Sequence, residues 1–544
     1  MPADDRPVLD PCGDRLTRDL ERLSEFREER QAGWTRRACS LEYLAARAWL
    51  RQRMAESGLR VEVDAAANLI GRLPGRRDDL DPIVIGSHID TVSGGGRFDG
   101  TVGVLAGIEI ARCLGENDLT LDHSLEIIDF FAAEPSDWNE WNIGVQAIVG
   151  RGLDGATLNR RTDDGISVAE AIRAAGGRPE AIHDAMRRPG SVAAYLELHI
   201  EQGSMLDGSG ASLGIVTELP ESWELRLKIA GWPLVPESRL ATMHRQLLEA
   251  VAEVEAALQT IWQGNGWTLT IGRPVMNHAV IPPVIEVRVA MSRLGGLALD
   301  QWPPRIVTFR KQFQEVMERR SLSGTVESML ALGKPTAVKI QELFAETARD
   351  LGVLAQSIPS GAAHAANWMS WIAPVGMLMV PSKGGRTHCP DEWTEPADVA
   401  RGTRVLGETL LRIDARVARK ERLRDYTEWT LLDRDGTELG TLLVVSVDQP
   451  WFICNFEPRS AFESIRPLFD EEFRLLHETP KGDDAERWAS WEAAYGRIGA
   501  LGLRVISKSR NEQYTDPFLH IDGRRAQFRG LPDRPDRDEE STND

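Results

Sequence analysis

An α/β fold is what this sequence predicts: a mostly parallel sheet with helices, interrupted once by an α+β segment and followed by an α+β unit. Three observations carry that prediction. Short, wholly apolar runs of the kind buried in parallel sheets alternate with helical patterns, first up to residue 215 and again from 331. Between those stretches the pattern changes to amphipathic strands and two long helices. The chain has 544 residues, more than one hydrophobic core usually supports, so about two to four domains are expected.

Taken in order, Ser40–Gly58 places Leu41, Leu44, Ala45 and Leu50 at helical spacing and ends on a glycine. The strand-like runs RVEVD and NLIGRL follow, then DPIVIGSHID, an apolar run suited to a buried strand. A glycine-rich turn, SGGGRFDG, leads into the helical TVGVLAGIEIARCL, and LEIIDFFAAE is another buried strand. These belong to the first part of an α/β domain, residues 14–215. Residues 216–330 read as an inserted α+β domain, with strands WELRLKIAG, WTLTIG and VIEVRVAMS and helices RLATMHRQLLEAVAEVEAALQTIW and IVTFRKQFQEVMERRS. The α/β pattern resumes over 331–420. A C-terminal α+β domain of unknown role spans 425–530; it opens with an Asp-Gly hairpin signal in WTLLDRDGTELGTLLVVSVD. The charged stretch 531–544 is expected to be disordered.

Charge narrows the partners. A formal net charge of −19 favours solubility and argues against nucleic acid or an anionic membrane. The N-terminal MPADDRPVLDPCGDRL has no apolar segment, so no signal peptide or anchor is expected, and no run is long enough to span a bilayer. Cys12, Cys39, Cys113, Cys389 and Cys454 are scattered without a CxxC, which fits free thiols and a cytoplasmic protein. Cys389 is read as an incidental small residue beside His388.

The chemistry is concentrated in GSHIDTVSGGGRFDG. His88 stands at the end of a predicted strand, and a neutral imidazole is a good zinc ligand. Asp90, two residues on, can fix the tautomer of that imidazole. Asp99 falls at a strand-to-helix turn, where a carboxylate can bridge two cations. A His-x-Asp pair alone is a weak signal; the glycine-rich spacing to Asp99 strengthens it.

The segment GSHIDTVSGGGRFDGTVGVLAGIE closely resembles its counterpart in N-carbamoyl-L-amino acid hydrolases and allantoate amidohydrolases. These belong to the aminoacylase/carboxypeptidase superfamily of dinuclear metallohydrolases. The region GWTRRACSLEYLAARAWLRQRMAESGLRVEVDAAANLIGRLPG, the run ELHIEQGSML, the run SGAAHAANWMSWIAPVGMLMVPS and GGRTHCPDEWTEPADVARG are similar as well, so the resemblance covers roughly residues 14–420. It implies a dinuclear-metal catalytic domain, with the inserted domain as a dimerisation or lid domain and the protein as a homodimer through it. The implied metal ligands are His88, Asp99 as the bridge, Glu134, His199 and His388. They would hold two divalent ions per chain, zinc first, with manganese, cobalt or nickel as alternatives. Such ions polarise a carbonyl and lower the pKa of a bound water. The implied substrate is a small molecule with a linear, non-peptide C–N bond: N-carbamoyl, ureido or acylamino. Asp90 and His364 fall in the catalytic set, His364 either polarising the oxyanion or simply packed. Gln202 is placed on the substrate amide, and Glu201 in a structural role.

The sequence departs from the family pattern at proton transfer and at recognition. The family has two adjacent glutamates after the second buried strand, a general base and then a ligand. In AAEPSDW the ligand is Glu134 and the base position is Ala133. A base typically contributes 10²–10⁴-fold, about 3–5 kcal/mol of barrier. Asp137 or Glu140 substitutes for it only if the loop is rebuilt. The family's Gly-Ser-Arg reads Gly144-Val145-Gln146, and its cross-dimer His-Ala-Gly is replaced by GWPLVPESRL, with no histidine until His244. Its Asn-Val-Ile-Pro reads Ala279-Val280-Ile281-Pro282, and its Asp-x-Arg, which grips a carboxylate, reads Ala290-Met291-Ser292. Arg288 and Arg293 are near, but a one-residue offset in a strand turns a side chain to the other face. The family's Gly-His-Asp-Ala reads Ala363-His364-Ala365-Ala366. Trp138, Trp141, Trp368 and Trp371 either narrow the pocket or pack the core. Two readings stay open: a repurposed metallohydrolase, or a catalytically silent metal-binding homologue or scaffold.

Overall fold

A computed structural model of the protein describes residues 9–150, 153–162, 164–231, 239–262, 267–272, 274–277, 283–293, 302–331, 336–418, 427–448, 451–477, 485–507, 512–523 and 525–529. Most of GWPLVPESRL, the 279–282 segment and the tail 531–544 lie outside these residues.

The first unit starts with helices α1 (Gly13–Ser24) and α2 (Leu41–Glu56). Ser40 begins α2 because its hydroxyl accepts the Tyr43 N–H, satisfying a donor that the first helical turn leaves free. Then come β1 (Arg60–Val63), β2 (Leu69–Leu73), β3 (Ile83–Ser87), α3 (Thr101–Glu116), β4 (Leu125–Asp129), β5 (Ala194–Ile200) and β6 (Leu213–Glu218). Every residue of β3, β4 and β5 is buried. The sheet is therefore covered on both faces, and the polar residues of β4 and β5, such as Asp129, Glu197 and His199, are buried too.

Chain alternation marks the inserted part. It comprises β7 (Glu221–Ala230), α4 (Leu240–Trp262), β8 (Trp267–Ile271), β9 (Val275–Asn277), β10 (Val284–Arg293), α5 (Trp302–Arg320) and β11 (Ser323–Ala331). Its antiparallel sheet runs β11-β7-β10-β8, with β9 also on β10. Leu225, Leu227 and Ile229 on β7, and Ile285, Val287, Val289 and Met291 on β10, form one core with Leu247, Val254, Phe309 and Phe313 of the two helices. Period two sends those side chains to one face. The strand β11 was not among the sequence expectations.

The first sheet is completed by α6 (Val338–Asp350), β12 (Ala355–Pro359), α7 (Ala365–Met369), β13 (Val375–Val380) and α8 (Pro396–Ala418). Its order is β1-β2-β4-β3-β5-β13-β6-β12. The central run β4-β3-β5-β13 is parallel throughout. Antiparallel pairs occur at β1–β2, β2–β4 and β6–β13, so the sheet is mixed around a parallel centre. The carboxyl ends of four parallel strands therefore meet at one edge, the usual place for a site in such sheets.

The C-terminal unit is a separate antiparallel sheet. Its elements are β14 (Thr427–Leu432), β15 (Glu438–Asp448), β16 (Trp451–Pro458), α9 (Arg466–His477), α10 (Ala485–Gly499), β17 (Arg504–Ser507), β18 (Glu512–Thr515), β19 (Phe518–Asp522) and β20 (Arg525–Arg529). The strand order is β18-β17-β14-β15-β16-β20-β19. Gly436, with φ +83°, supplies the left-handed conformation that the turn between β14 and β15 needs. Its core includes Trp429, Phe456, Phe462 and Phe528. All five cysteines are free, and no helix among the described residues is long and apolar enough to cross a membrane.

Candidate metal centre

The site is built from the edge just described. His88 directly follows β3, and its Nδ1 lies 3.0 Å from the Asp90 carbonyl oxygen. The backbone of Gly100, at the start of α3, closes over the ring. A Cβ at Gly100 would stand 2.3 Å from the His88 Cε1, so only glycine fits. His199 lies on β5, and Glu134 on the loop after β4. Backbone strain gathers here: Ala132, Asn139, Asn142 and His388 all adopt positive φ, between 48° and 56°. Each such residue costs of order 1 kcal/mol, and that strain clusters at functional sites.

Asp99 divides its two oxygens between two imidazoles. Oδ1 lies 3.4 Å from Nδ1 of His199, and Oδ2 lies 3.1 Å from Nε2 of His388. Glu134 Oε1 is 3.4 Å from His388 Nε2 and 3.9 Å from His88 Nε2. Donor atoms of His88, Asp99 and Glu134 lie within 4.8 Å of one another. Among the described residues no lysine or arginine pairs with Asp99 or Glu134. Two buried carboxylates that face only imidazoles make a nitrogen and oxygen donor set of the kind that binds divalent cations.

The protonation tendencies follow from the same arrangement. Burial opposes charge on His88, yet Asp90, Glu134 and Asp99 around it bring it up to about 9. Burial likewise opposes charge on His388, and its bonds to Asp99 and Glu134 carry it to about 11. At His199 burial outweighs the pull of Asp99 and drives it down to about 4. Burial also pushes His364 well below the ordinary range. It raises Glu134, and takes Asp90 up to about 6. Asp99 is the exception: burial would raise it, but the imidazoles of His199 and His388 hold it well below the usual carboxylate range.

The structure brings together His88, Asp99, Glu134, His199 and His388, and surrounds them with further polar contacts. The Asp90 carboxylate accepts the backbone N–H groups of Ala133 (3.2 Å) and Glu134 (3.0 Å). It therefore holds the loop that carries Glu134, while its own carbonyl meets the His88 ring. Gln202 donates from Nε2 to Asp99 Oδ1 at 3.1 Å, bracing the shared carboxylate. His364 packs against His199, ring centroids 4.4 Å apart. Glu201 caps the short helix Met205–Ser209, accepting from Met205 and Leu206 N–H, a structural role.

The loop is not rebuilt to replace the base. Asp137 pairs with Arg37, and Glu140 with Arg288 and Arg160. Gln146 donates to the Trp141 carbonyl. Trp138 and Trp368 are core residues. Arg293, one position from Ser292, lies on the opposite strand face, whereas Arg288, four positions away, shares the face of Ser292. Arg288 is buried against Glu140, its guanidinium 4.1 Å from the Trp141 ring centroid.

Two residues escaped the sequence reading. Glu392 accepts the N–H groups of Phe98 (2.8 Å) and Asp99 (3.1 Å), tying Asp99 to the His388 loop; burial, then Asp99, raise it to about 7. Glu197 is fully buried two residues before His199 on β5. Period two alone puts it on the His199 face, a signal present in ELHIEQG.

Comparison with known proteins supplies the family context. Residues 84–412 match the family described as Peptidase family M20/M25/M40. The chain is 33% identical over 404 residues to an N-carbamoyl-L-amino acid amidohydrolase of Geobacillus stearothermophilus, covering 73% of this chain and 98% of that protein. It is 27% identical over 413 residues to an allantoate amidohydrolase of Bacillus subtilis, covering 73% and 97%. The solved structure of AtUAH in complex with (S)-hydroxyglycine superposes with a TM-score of 0.63 at 25% identity, covering 75% of this chain and 99% of that one.

Proposed function

From the premise that the chain belongs to Peptidase family M20/M25/M40, we propose that it is a metal-dependent amidohydrolase acting on a linear, non-peptide C–N bond. The substrate class is an N-carbamoyl, ureido or acylamino small molecule, as the names of the carbamoyl amino acid and allantoate relatives suggest. One observation carries the reading: Asp99 presents one carboxylate oxygen to His199 and the other to His388. His88, Asp99 and His199 would hold one divalent ion, and Asp99, Glu134 and His388 the other; zinc is the first candidate. When bound, the pair supplies Lewis acidity to the scissile carbonyl and acidifies a water.

The chain's own residues then have defined tasks. Asp90 and Glu392 hold the backbones of Glu134 and Asp99. Gln202 steadies Asp99, and its amide is near enough to the ligands to meet a substrate amide as well. His364, kept neutral by burial, is the donor for a developing oxyanion. Ala133 offers no proton acceptor, so turnover should be some 10²–10⁴-fold below that of an enzyme with a base. A homodimer through the inserted sheet and a cytoplasmic location belong to the same reading.

A second reading, a silent metal-binding homologue or scaffold, is favoured by Ala133 together with Glu140 being committed to arginines. Elemental analysis and an assay against N-carbamoyl amino acids, allantoate and acylamino acids separate the two. The enzyme reading expects close to two transition-metal ions per chain and a turnover that His199→Ala removes. Activity found only in Ala133→Glu would instead establish the silent homologue. A chain that cannot be loaded with metal would end both.

A further inference from the structure

The C-terminal unit holds a cavity of its own, about 190 Å³ in volume, where the end of α10 meets the start of β19. Tyr495, Ile498, Leu503 and Phe518 give it apolar walls, and Asp516 and Arg529 are its charged groups. The aromatic side is firmly built. The Tyr495 and Phe518 rings stack with centroids 4.5 Å apart, and Trp491 stacks on Tyr495 at 5.4 Å. The Tyr495 hydroxyl accepts the Leu519 N–H at 3.0 Å. Glu472, fully buried, accepts the Trp491 indole N–H at 2.7 Å and meets Nδ1 of His520 at 2.8 Å. The walls are therefore formed before any ligand arrives, which lowers the cost of binding one.

Arg529 is the group in this cavity that asks for a partner. Its guanidinium lies over the rings of Trp451 and Phe518, 5.0 and 4.9 Å from their centroids. Those contacts hold the cation in place but bring it no counter-charge. Its Nε is buried without a hydrogen-bond partner, and no carboxylate pairs with it among the described residues. Buried N–H groups are rarely left so, and the fork of a guanidinium fits a carboxylate. Asp516 stands exposed on the same cavity and offers the opposite charge. We infer that this cavity binds a free aromatic α-amino acid, its ring between the apolar walls, its carboxylate on Arg529 and its ammonium on Asp516. Size agrees with that class: an apolar cavity of about 150 Å³ takes a benzene ring, and about 190 Å³ leaves room for a short polar end. The site lies wholly within the C-terminal unit and does not depend on the metal-centre reading.

The test uses the full-length chain and titration calorimetry, with L-phenylalanine as the probe. Wild type should bind it with a dissociation constant at or below about 1 mM, as a ligand of this size allows. Two analogues need no variant. Phenethylamine lacks the carboxylate and hydrocinnamate lacks the ammonium, so each should bind about tenfold or more weakly. Arg529→Gln keeps most of the aliphatic stem on the rings and removes the cation, and should weaken L-phenylalanine about tenfold or more. Asp516→Asn, at an exposed position, should erase the preference for L-phenylalanine over hydrocinnamate. Wild type that takes up no L-phenylalanine at about ten times that concentration overturns the inference. So does an Arg529→Gln chain that binds it as tightly as wild type, which would put the ligand elsewhere in the protein. Phenethylamine or hydrocinnamate binding as tightly as L-phenylalanine overturns it as well. Should Arg529→Gln fail to fold, the analogues on wild type decide alone.

Discussion

Glu134 and Glu140 lie on one loop, six residues apart and both buried, yet their surroundings are opposite. Glu134 faces Asp99 and the imidazoles of His88 and His388. Glu140 faces guanidinium groups: Arg288, Arg160 at 2.9 Å and Arg226 at 3.5 Å. Around Glu140 the charges close among themselves, with permanent cations whose protons do not leave. Around Glu134 the counter-charge is a proton on His88 and His388, which a metal ion can displace. The contrast teaches that burial of a carboxylate says little about its task. What decides is whether the protein supplies the counter-charge or leaves that to something else.

The largest effect should come from breaking the open cluster at its shared atom. Asp99→Ala is expected to reduce bound transition metal from about two ions per chain to close to none, since both candidate positions use Asp99. Retention of two ions, measured by elemental analysis after dialysis, would show that Asp99 is no bridge. In the wild type, saturating zinc at about a thousandfold over its dissociation constant should add about 4 kcal/mol of stability, and Asp99→Ala should lose that gain.

The two glutamates themselves give the next contrast. In the metal-free chain Glu140→Gln leaves buried guanidinium groups without their carboxylate, a change that typically costs about 3–5 kcal/mol. Glu134→Gln removes a carboxylate that burial already disfavours and whose histidine partners can shed their protons, so its cost should be the smaller of the two. Denaturant unfolding of both variants without metal measures the difference. Equal losses would erase the distinction between a closed and an open cluster.

The grouping of the candidate residues was legible in the sequence because histidine and carboxylate at those positions stand out within their motifs. His88 after IVIGS, His199 in ELHIEQG and His388 in GGRTHCPDEW all meet around Asp99. The α/β class was legible too, from apolar runs that period-two strands with one wet face would not show. What sequence missed was what acts through backbone. Asp90 works on the N–H groups of residues 133 and 134, and Glu392 on those of residues 98 and 99. Such bonds leave no side-chain pattern. The destination of Arg288 was also hidden, since it depends on Glu140 approaching from a separate loop. The antiparallel edges of the first sheet have the same cause: pairing direction is set by chain path, not by composition.

A pH series sharpens the contrast further, at somewhat smaller scale. His88 is raised to about 9 in the metal-free fold, against about 6.5 when unfolded. A histidine raised in this way stabilises fully below pH 6.5, and its contribution is lost as pH rises through 9. Asp90, Glu197 and Glu392, raised by burial to about 6, 7 and 7, act in the same direction, because their folded forms also hold the extra proton. His199, lowered to about 4, acts oppositely but only below pH 6.5. The metal-free chain should therefore lose up to about 3 kcal/mol through His88 between pH 6.5 and 9. The zinc-loaded chain should be nearly flat there, since the ion replaces the proton. Calorimetry at pH 7 in two buffers of different ionisation enthalpy should detect protons released on zinc binding; no release would contradict a protonated His88. Glu140→Gln should keep the same decline, because it leaves His88 and the carboxylates around it unchanged.

The smallest effect tests how closed the second cluster is. Arg226 reaches Glu140 only at 3.5 Å, and is less buried than Arg288. Arg226→Ala leaves Glu140 with Arg288 and Arg160, so the carboxylate stays paired and the loss should be about 0.5–1 kcal/mol. Arg288→Ala removes the buried partner and the contact with Trp141, and should cost several-fold more. Combining Arg226→Ala with Arg288→Ala completes a cycle. If the cluster is closed, the two arginines share one charge, and the double variant should lose more than the sum, because Glu140 is then left with Arg160 alone. Strict additivity would mean that each arginine acts independently of Glu140, and the loop bearing Glu134 would then owe its position to the strained residues Ala132, Asn139 and Asn142 and not to the ionic contact.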